Sequence, residues 1–180
     1  RHLEPYLRRD ATYYPVVTLT GPRQSGKTTL CREVFRDHRY CSLEDPETRR
    51  FAREDPRGFL RQNTGPVILD EVQRCPDLIS YIQTEVDRDA TVGRFVLTGS
   101  QNFLMMERIS QSLAGRSGIL HLLPFSRAEL EAQAPGRELD AGALFENRSS
   151  GLDCWETIRT GFYPRIHDRH IPPEIWLADY

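Results

Sequence analysis

Gly21-Pro22-Arg23-Gln24-Ser25-Gly26-Lys27-Thr28, running on into Thr29 and Leu30, is the stretch on which the reading of this chain turns. It fits the spacing G-x-x-x-x-G-K-[ST], in which a glycine-containing turn lets successive backbone N–H groups converge on a phosphate chain while the following helix adds its positive end. The flanks supply the context such a loop needs. Pro15-Val16-Val17-Thr18-Leu19-Thr20 is a short β-branched run that predicts a buried strand. Lys27 to Asp37 predicts a helix with Leu30 and Val34 on one face. Gly21, Pro22, Arg23, Gln24, Ser25, Gly26, Lys27, Thr28 and Thr29 are therefore the candidate nucleotide-binding residues. Lys27 is expected at the β- and γ-phosphates, and the Thr28 hydroxyl on Mg²⁺.

The basic residues support that reading from another side. Of 24 Lys plus Arg residues only one is a lysine, and it is Lys27. A guanidinium is planar and bulky, whereas an ammonium is a compact point charge that fits between phosphate oxygens. Position 27 is thus expected to reject arginine. The same count bears on the nucleotide, because guanine-specific phosphate-loop proteins generally use an Asn-Lys-x-Asp segment, which a chain with its single lysine at 27 does not contain. ATP is the expected ligand.

Outward from the loop, strands and helices alternate. Tyr40 to Leu43 predicts a second strand, and Asp45-Pro46 and Asp55-Pro56 each open a helical stretch, with Asp capping and Pro at the first helical position. Val67-Ile68-Leu69 predicts a third buried strand ending in Asp70-Glu71. An acidic residue at a strand tip beside a phosphate loop holds magnesium, and the next carboxylate activates the attacking water. Asp70 is accordingly the metal candidate with Thr28, and Glu71 the catalytic base. Asp77 to Asp89 reads as a helix, Arg94 to Thr98 as a fourth strand, Gln101 to Ala114 as a helix, and Ile119 to Leu123 as a fifth strand. Ser100 and Asn102, after the fourth strand, are placed to touch the γ-phosphate or the water, or simply to cap the next helix. Alternating strands and helices imply an α/β fold with a parallel sheet covered on both faces. Ser126-Arg127-Ala128-Glu129 is a capping box. Beyond Pro135-Gly136 the pattern weakens, giving an expected core over 1–134 and a helical lid, or the start of another domain, over 135–180.

Composition excludes several classes. At 180 residues one main domain is expected, and no apolar run approaches the roughly 20 residues needed to span a bilayer. No membrane association and a cytoplasmic location are the expectations. A net charge of −2 gives no global attraction to nucleic acid. The arginines between 49 and 61 are interleaved with acids, which reads as a solvated, paired surface. Cys31, Cys41, Cys75 and Cys154 form no C-x-x-C pair and read as buried thiols. The chain begins at Arg1, without a signal-like stretch, and reads as a piece of something longer.

The order of these parts resembles the AAA-type branch of P-loop ATPases. In particular it resembles a prokaryotic family reading G-P-R-Q-x-G-K-T-T-L, D-E-x-Q, L-T-G-S, S-L-x-G-R, P-F/L-S-x-x-E and G-F/G-x-P-R. Here the blocks are Gly21 to Leu30, Asp70 to Gln73, Leu97 to Ser100, Ser112 to Arg116, Pro124 to Glu129, and Gly161 to Arg165. The resemblance implies a five-stranded parallel sheet of order 5-1-4-3-2 sandwiched by helices, with a small C-terminal helical region. It also implies a following domain of unknown function (number 4143), beginning near Trp176 to Tyr180, that ATP turnover drives or gates and that engages a DNA or protein client. Ser25 departs from the family's small or aliphatic residue, and its side chain is expected to point away from the phosphates. With the fifth strand at an edge, Arg116 is expected at the surface, entering a neighbouring subunit's site in a homo-oligomer or clamping the end of its own helix. Two other functions fit the loop: a nucleotide-gated interaction module with negligible turnover, and a small-molecule kinase.

Overall fold

In the computed structural model, which describes residues 1–100, 109, 111–132 and 154–180, five strands pair as one parallel sheet. They are β1 (Val16–Gly21), β2 (Arg39–Ser42), β3 (Val67–Asp70), β4 (Phe95–Ser100) and β5 (Ser117–His121). Their order across the sheet is β2-β3-β4-β1-β5, the expected order read from the other edge. Between them run α1 (Glu4–Tyr13), α2 (Lys27–Val34), α3 (Pro46–Glu54), α4 (Pro56–Gln62) and α5 (Leu78–Arg88).

The three inner strands β1, β3 and β4 are buried along nearly their whole length because both faces are covered, whereas the edge strands β2 and β5 are partly exposed. Alternate residues feed two separate cores. Val17, Leu19, Ile68 and Val96 pack with Leu7 of α1 and with Leu30, Cys31 and Val34 of α2. Val16, Leu69, Phe95 and Leu97 pack instead with Ala52, Phe59 and Leu60 of α3 and α4 and with Leu78, Ile79, Ile82 and Val86 of α5. Asp45 and Asp55 cap α3 and α4 as their Asp-Pro pairs imply, accepting from the N–H of Thr48 and of Gly58, each at 2.8 Å. Those two acids are thereby committed to helix ends, and no ion pair to the neighbouring arginines is part of that role.

Boundaries differ from the sequence expectation in several places, among them β4, which ends at Ser100 and not at Thr98. The first helix extends to Tyr13, well beyond Arg9. The helix after the phosphate loop stops at Val34 and not at Asp37, because residues 35–38 form the turn that returns the chain to β2, with His38 N–H donating to the Phe35 carbonyl. The fifth strand starts at Ser117, opposite Val16, and ends at His121. Leu122 still belongs to the core and donates to the Thr20 carbonyl at 2.8 Å, whereas Leu123 is exposed.

Two compact units emerge, Arg1–Leu122 and Leu123–Tyr180. The expected boundary at 134/135 lies outside the described residues, as does most of the Gln101 to Ala114 helix. In the second unit the capping box forms, with Ser126 N–H on Glu129 Oε2 and Glu129 N–H on Ser126 Oγ. Tyr163, Trp176 and Tyr180 stack there with ring centroids 4.7–5.0 Å apart. Among the described residues no helix is long and apolar enough to cross a membrane.

Candidate functional site

The parallel register brings the candidate residues to one end of the sheet. Gly21 ends β1 opposite Ser100 of β4, and Asp70 ends β3 opposite Ser42 of β2. Side chains and loops at the carboxyl ends of parallel strands converge on a crevice, the usual ligand position in such sheets.

The phosphate loop is shaped by backbone that most residues avoid. Gly21 has φ +152°, and a Cβ there would lie 2.1 Å from the Leu122 carbonyl oxygen, so the first glycine is required by the segment just past β5 as well as by its own torsion. Gly26, at φ 92°, caps α2 from the left-handed region, and Gln24 enters that region too, at φ 59°. Ser25 is fully buried and its hydroxyl has no hydrogen-bond partner. Arg23, Gln24 and Thr29 are exposed around the loop.

Lys27 is only 5% exposed. Its ammonium donates to the Gly21 carbonyl at 3.1 Å and the Pro22 carbonyl at 2.6 Å, both within the loop itself. Burial pulls its pKa below the ordinary value, against the opposing pull of the Glu71 and Asp70 carboxylates.

Asp70 is the hub of the site. Thr28 Oγ1 donates to its two oxygens at 3.1 and 3.0 Å, Tyr40 OH donates at 2.7 Å, and Thr98 Oγ1 donates from β4. Thr28 and Asp70, 42 positions apart, are thus the hydroxyl and carboxylate that meet. Hard oxygen donors of this kind, one hydroxyl and one carboxylate, fit Mg²⁺, which keeps several waters and takes few protein ligands. Tyr40 and Thr98 were not among the sequence candidates. The burial of Tyr40 and its bond to Asp70 push the phenol up to about 12, while the Arg32 guanidinium lies 4.9 Å from its ring centre.

Glu71 follows in a left-handed conformation, φ 57° and ψ 45°, which is uncommon away from glycine and asparagine. This turns the chain sharply into a 3₁₀ turn, Val72–Arg74, pinned by the buried Val72 and Cys75. The turn returns Gln73 across the strand tips. Its Nε2 donates to Glu71 Oε2 and to Ser100 Oγ, the latter at 2.9 Å. Sequence reading quoted this glutamine within D-E-x-Q and gave it no role. Asn102 lies outside the described residues.

Arg116 stands apart from this cluster. Its carbonyl accepts from Val16 N–H at the start of β1, the end of the sheet remote from the loop. Five residues of parallel strand, about 17 Å at 3.3 Å each, separate that level from Gly21. Its guanidinium donates to Asp87 at 2.5 Å and to the Ala114 carbonyl at 3.1 Å. The second bond goes to a carbonyl of the turn that precedes β5, not to the last turn of a helix.

Comparison with known proteins bears on family and fold. A family described as an AAA domain matches residues 13–131. Uncharacterized proteins of Mycobacterium bovis and Mycobacterium tuberculosis are each 38% identical over 141 residues, covering 77% of this chain. The chain spans 32% of the length of those relatives. Among solved structures, the Walker-type ATPase PabY2304 of Pyrococcus abyssi is similar with a TM-score of 0.52 and 17% identity, over 73% of this chain and 55% of that one. At that identity the likeness is one of fold.

Proposed function

Because this chain belongs to the AAA domain family, we propose that it binds ATP with Mg²⁺ on residues 21–29 and hydrolyses it to ADP and phosphate. The observation that carries this reading is the meeting of the Thr28 hydroxyl with the Asp70 carboxylate at 3.0–3.1 Å, with Glu71 next in the chain. Backbone N–H groups of the loop and the start of α2 receive the phosphates. Lys27 exchanges its two loop carbonyls for β- and γ-phosphate oxygens, which return the hydrogen bonds its buried ammonium needs. Thr28, with its hydroxyl, and Asp70, with its carboxylate, are the residues that would hold the magnesium. The ion, when bound, neutralises charge on the transferred phosphoryl group. Tyr40 and Thr98 fix the orientation of Asp70. Glu71 takes a proton from the water whose oxygen attacks the γ-phosphorus as the bond to the bridging oxygen breaks, and Ser100 contacts the γ-phosphate.

The reading extends to the whole protein. Turnover here drives or gates an effector domain C-terminal to this one, with DNA or protein as its client. A second reading, a nucleotide-gated module with negligible turnover, draws on the hold that Gln73 has on Glu71 and on the absence of Arg116 from its own site. Single-turnover against multiple-turnover measurements separate the two.

The decisive experiment is Glu71→Gln. Removing a positioned base costs about 10²- to 10⁴-fold in rate, while the amide occupies the same space without repelling the phosphates. Turnover should collapse and Mg-ATP should stay bound in calorimetry. Equal loss of Mg-ATP binding in Asp70→Asn and Glu71→Gln would refute the division of roles.

A further inference from the structure

The bridge made by Gln73 leads beyond the list of candidate groups. Its amide nitrogen has two hydrogens, and both are committed, one to the Glu71 carboxylate and one to the Ser100 hydroxyl. Its carbonyl oxygen is buried without a partner. The amide orientation follows from charge, because the reverse placement would set the carbonyl oxygen against a carboxylate. Gln73 is also held in place by the backbone. The left-handed Glu71 and the anchored 3₁₀ turn after it leave the residue two positions on from the base facing back over the base, at the tip of the neighbouring strand β4.

We propose that Gln73 is the positioning residue for Glu71, and that it transmits the state of the γ-phosphate position from Ser100 to Glu71. The inference rests on the reading of Glu71 as base and Ser100 as γ-phosphate contact. Ser100 ends β4 and is bonded to the same amide nitrogen as Glu71, so a change in the Ser100 hydroxyl's partners alters the hold on the carboxylate. ADP lacks the group that Ser100 would meet. Gln73 therefore makes the turn at 70–75 respond to ATP and not to ADP. The buried, unpartnered carbonyl oxygen adds an acceptor beside the carboxylate, suited to a proton-bearing group at the same point.

Two measurements on the chain as it stands test this. In kinetics, Gln73→Ala should lower kcat by at least about 10-fold with the KM for Mg-ATP within about twofold, since misplacing a catalytic group by an ångström costs up to about 10²-fold. Ser100→Ala and the double variant complete a cycle, and the double should be little worse than the worse single. A proportional rise in KM, an unchanged kcat, or fully multiplicative losses would overturn the proposal. In hydrogen exchange, ATP should slow the amides of 70–75 more than ADP does in the parent, and Gln73→Ala should abolish that difference while both nucleotides still protect 21–28. Should the parent bind ATP without turning it over, the base assignment fails and the exchange difference alone decides the link. Absence of protection at 21–28 refutes the nucleotide site itself, whereas protection there with no ATP-specific change at 70–75 refutes only the role of Gln73.

Discussion

At the scale of single residues, two side chains in the site have properties fixed by their surroundings. Lys27 is buried, and its ammonium rests on two carbonyls of the loop. Lys27→Ala and Lys27→Arg should both lose ATP affinity in calorimetry, by about 10- to 100-fold if one or two charge-assisted hydrogen bonds are lost, with the circular dichroism spectrum unchanged. Parent-like binding by Lys27→Arg would show that shape is not what selects lysine there. Tyr40 makes the second case. Burial, then its bond to Asp70, raise the phenol to about 12 against about 10 for an unfolded tyrosine. A pKa raised on folding contributes stability that is whole below pH 10 and lost as pH rises through 12. Absorbance near 295 nm should therefore show late-titrating tyrosines, with Tyr163 also raised to about 12 by its bond to Tyr180, and Tyr40→Phe should remove one of them. These residues also mark how far sequence reaches. Thr28 and Asp70 were legible because each sits in a motif with a fixed place in a strand-turn-helix. Tyr40 was not, because its bond to Asp70 depends on β2 lying beside β3, and that adjacency is a property of the assembled sheet.

At the scale of elements, the turn after β1 is set by more than its own torsions. Gly21→Ala would place a methyl 2.1 Å from the Leu122 carbonyl, in the stretch just past β5, at a φ of +152°. Neither backbone has room to yield without disturbing the β1–β5 pairing, so the substitution should cost about 2 kcal/mol or more in urea unfolding. A stability within experimental error of the parent would mean the loop and Leu122 move apart freely. The strands were legible as runs, and their ends less so. Leu122-Leu123 prolongs an apolar run, but only Leu122 has the core to enter, and periodicity cannot separate a buried leucine from an exposed one beside it. The α2 boundary failed for another reason: Arg36 and Asp37 are tolerable helix residues, and it is the short reach to β2 that ends the helix first.

At the scale of the whole molecule, the parallel register puts Arg116 at the end of the strands remote from its own chain's loop. It sits at the opposite end of the strands, so any action on ATP must be on a neighbour's. We expect a weak ATPase whose specific activity rises with protein concentration. Mixing Arg116→Ala with Glu71→Gln should then restore some activity, because each supplies what the other lacks. No recovery, with activity independent of concentration, leaves Arg116 as the partner of Asp87 and Ala114 alone. Sequence placed Arg116 at an edge only through the strand order that the family resemblance implied, since pairing order is not written in any one strand. A last consequence concerns reagents. Twenty-four Lys and Arg side chains include a single amine, and that amine lies within the phosphate loop, its pKa drawn below the ordinary value by burial. Amine-selective acylation, which needs the uncharged nitrogen, therefore has one side-chain amine to reach in 180 residues. A mass shift of one acyl group on Lys27, slowed when ATP is present, would make occupancy of the loop countable molecule by molecule.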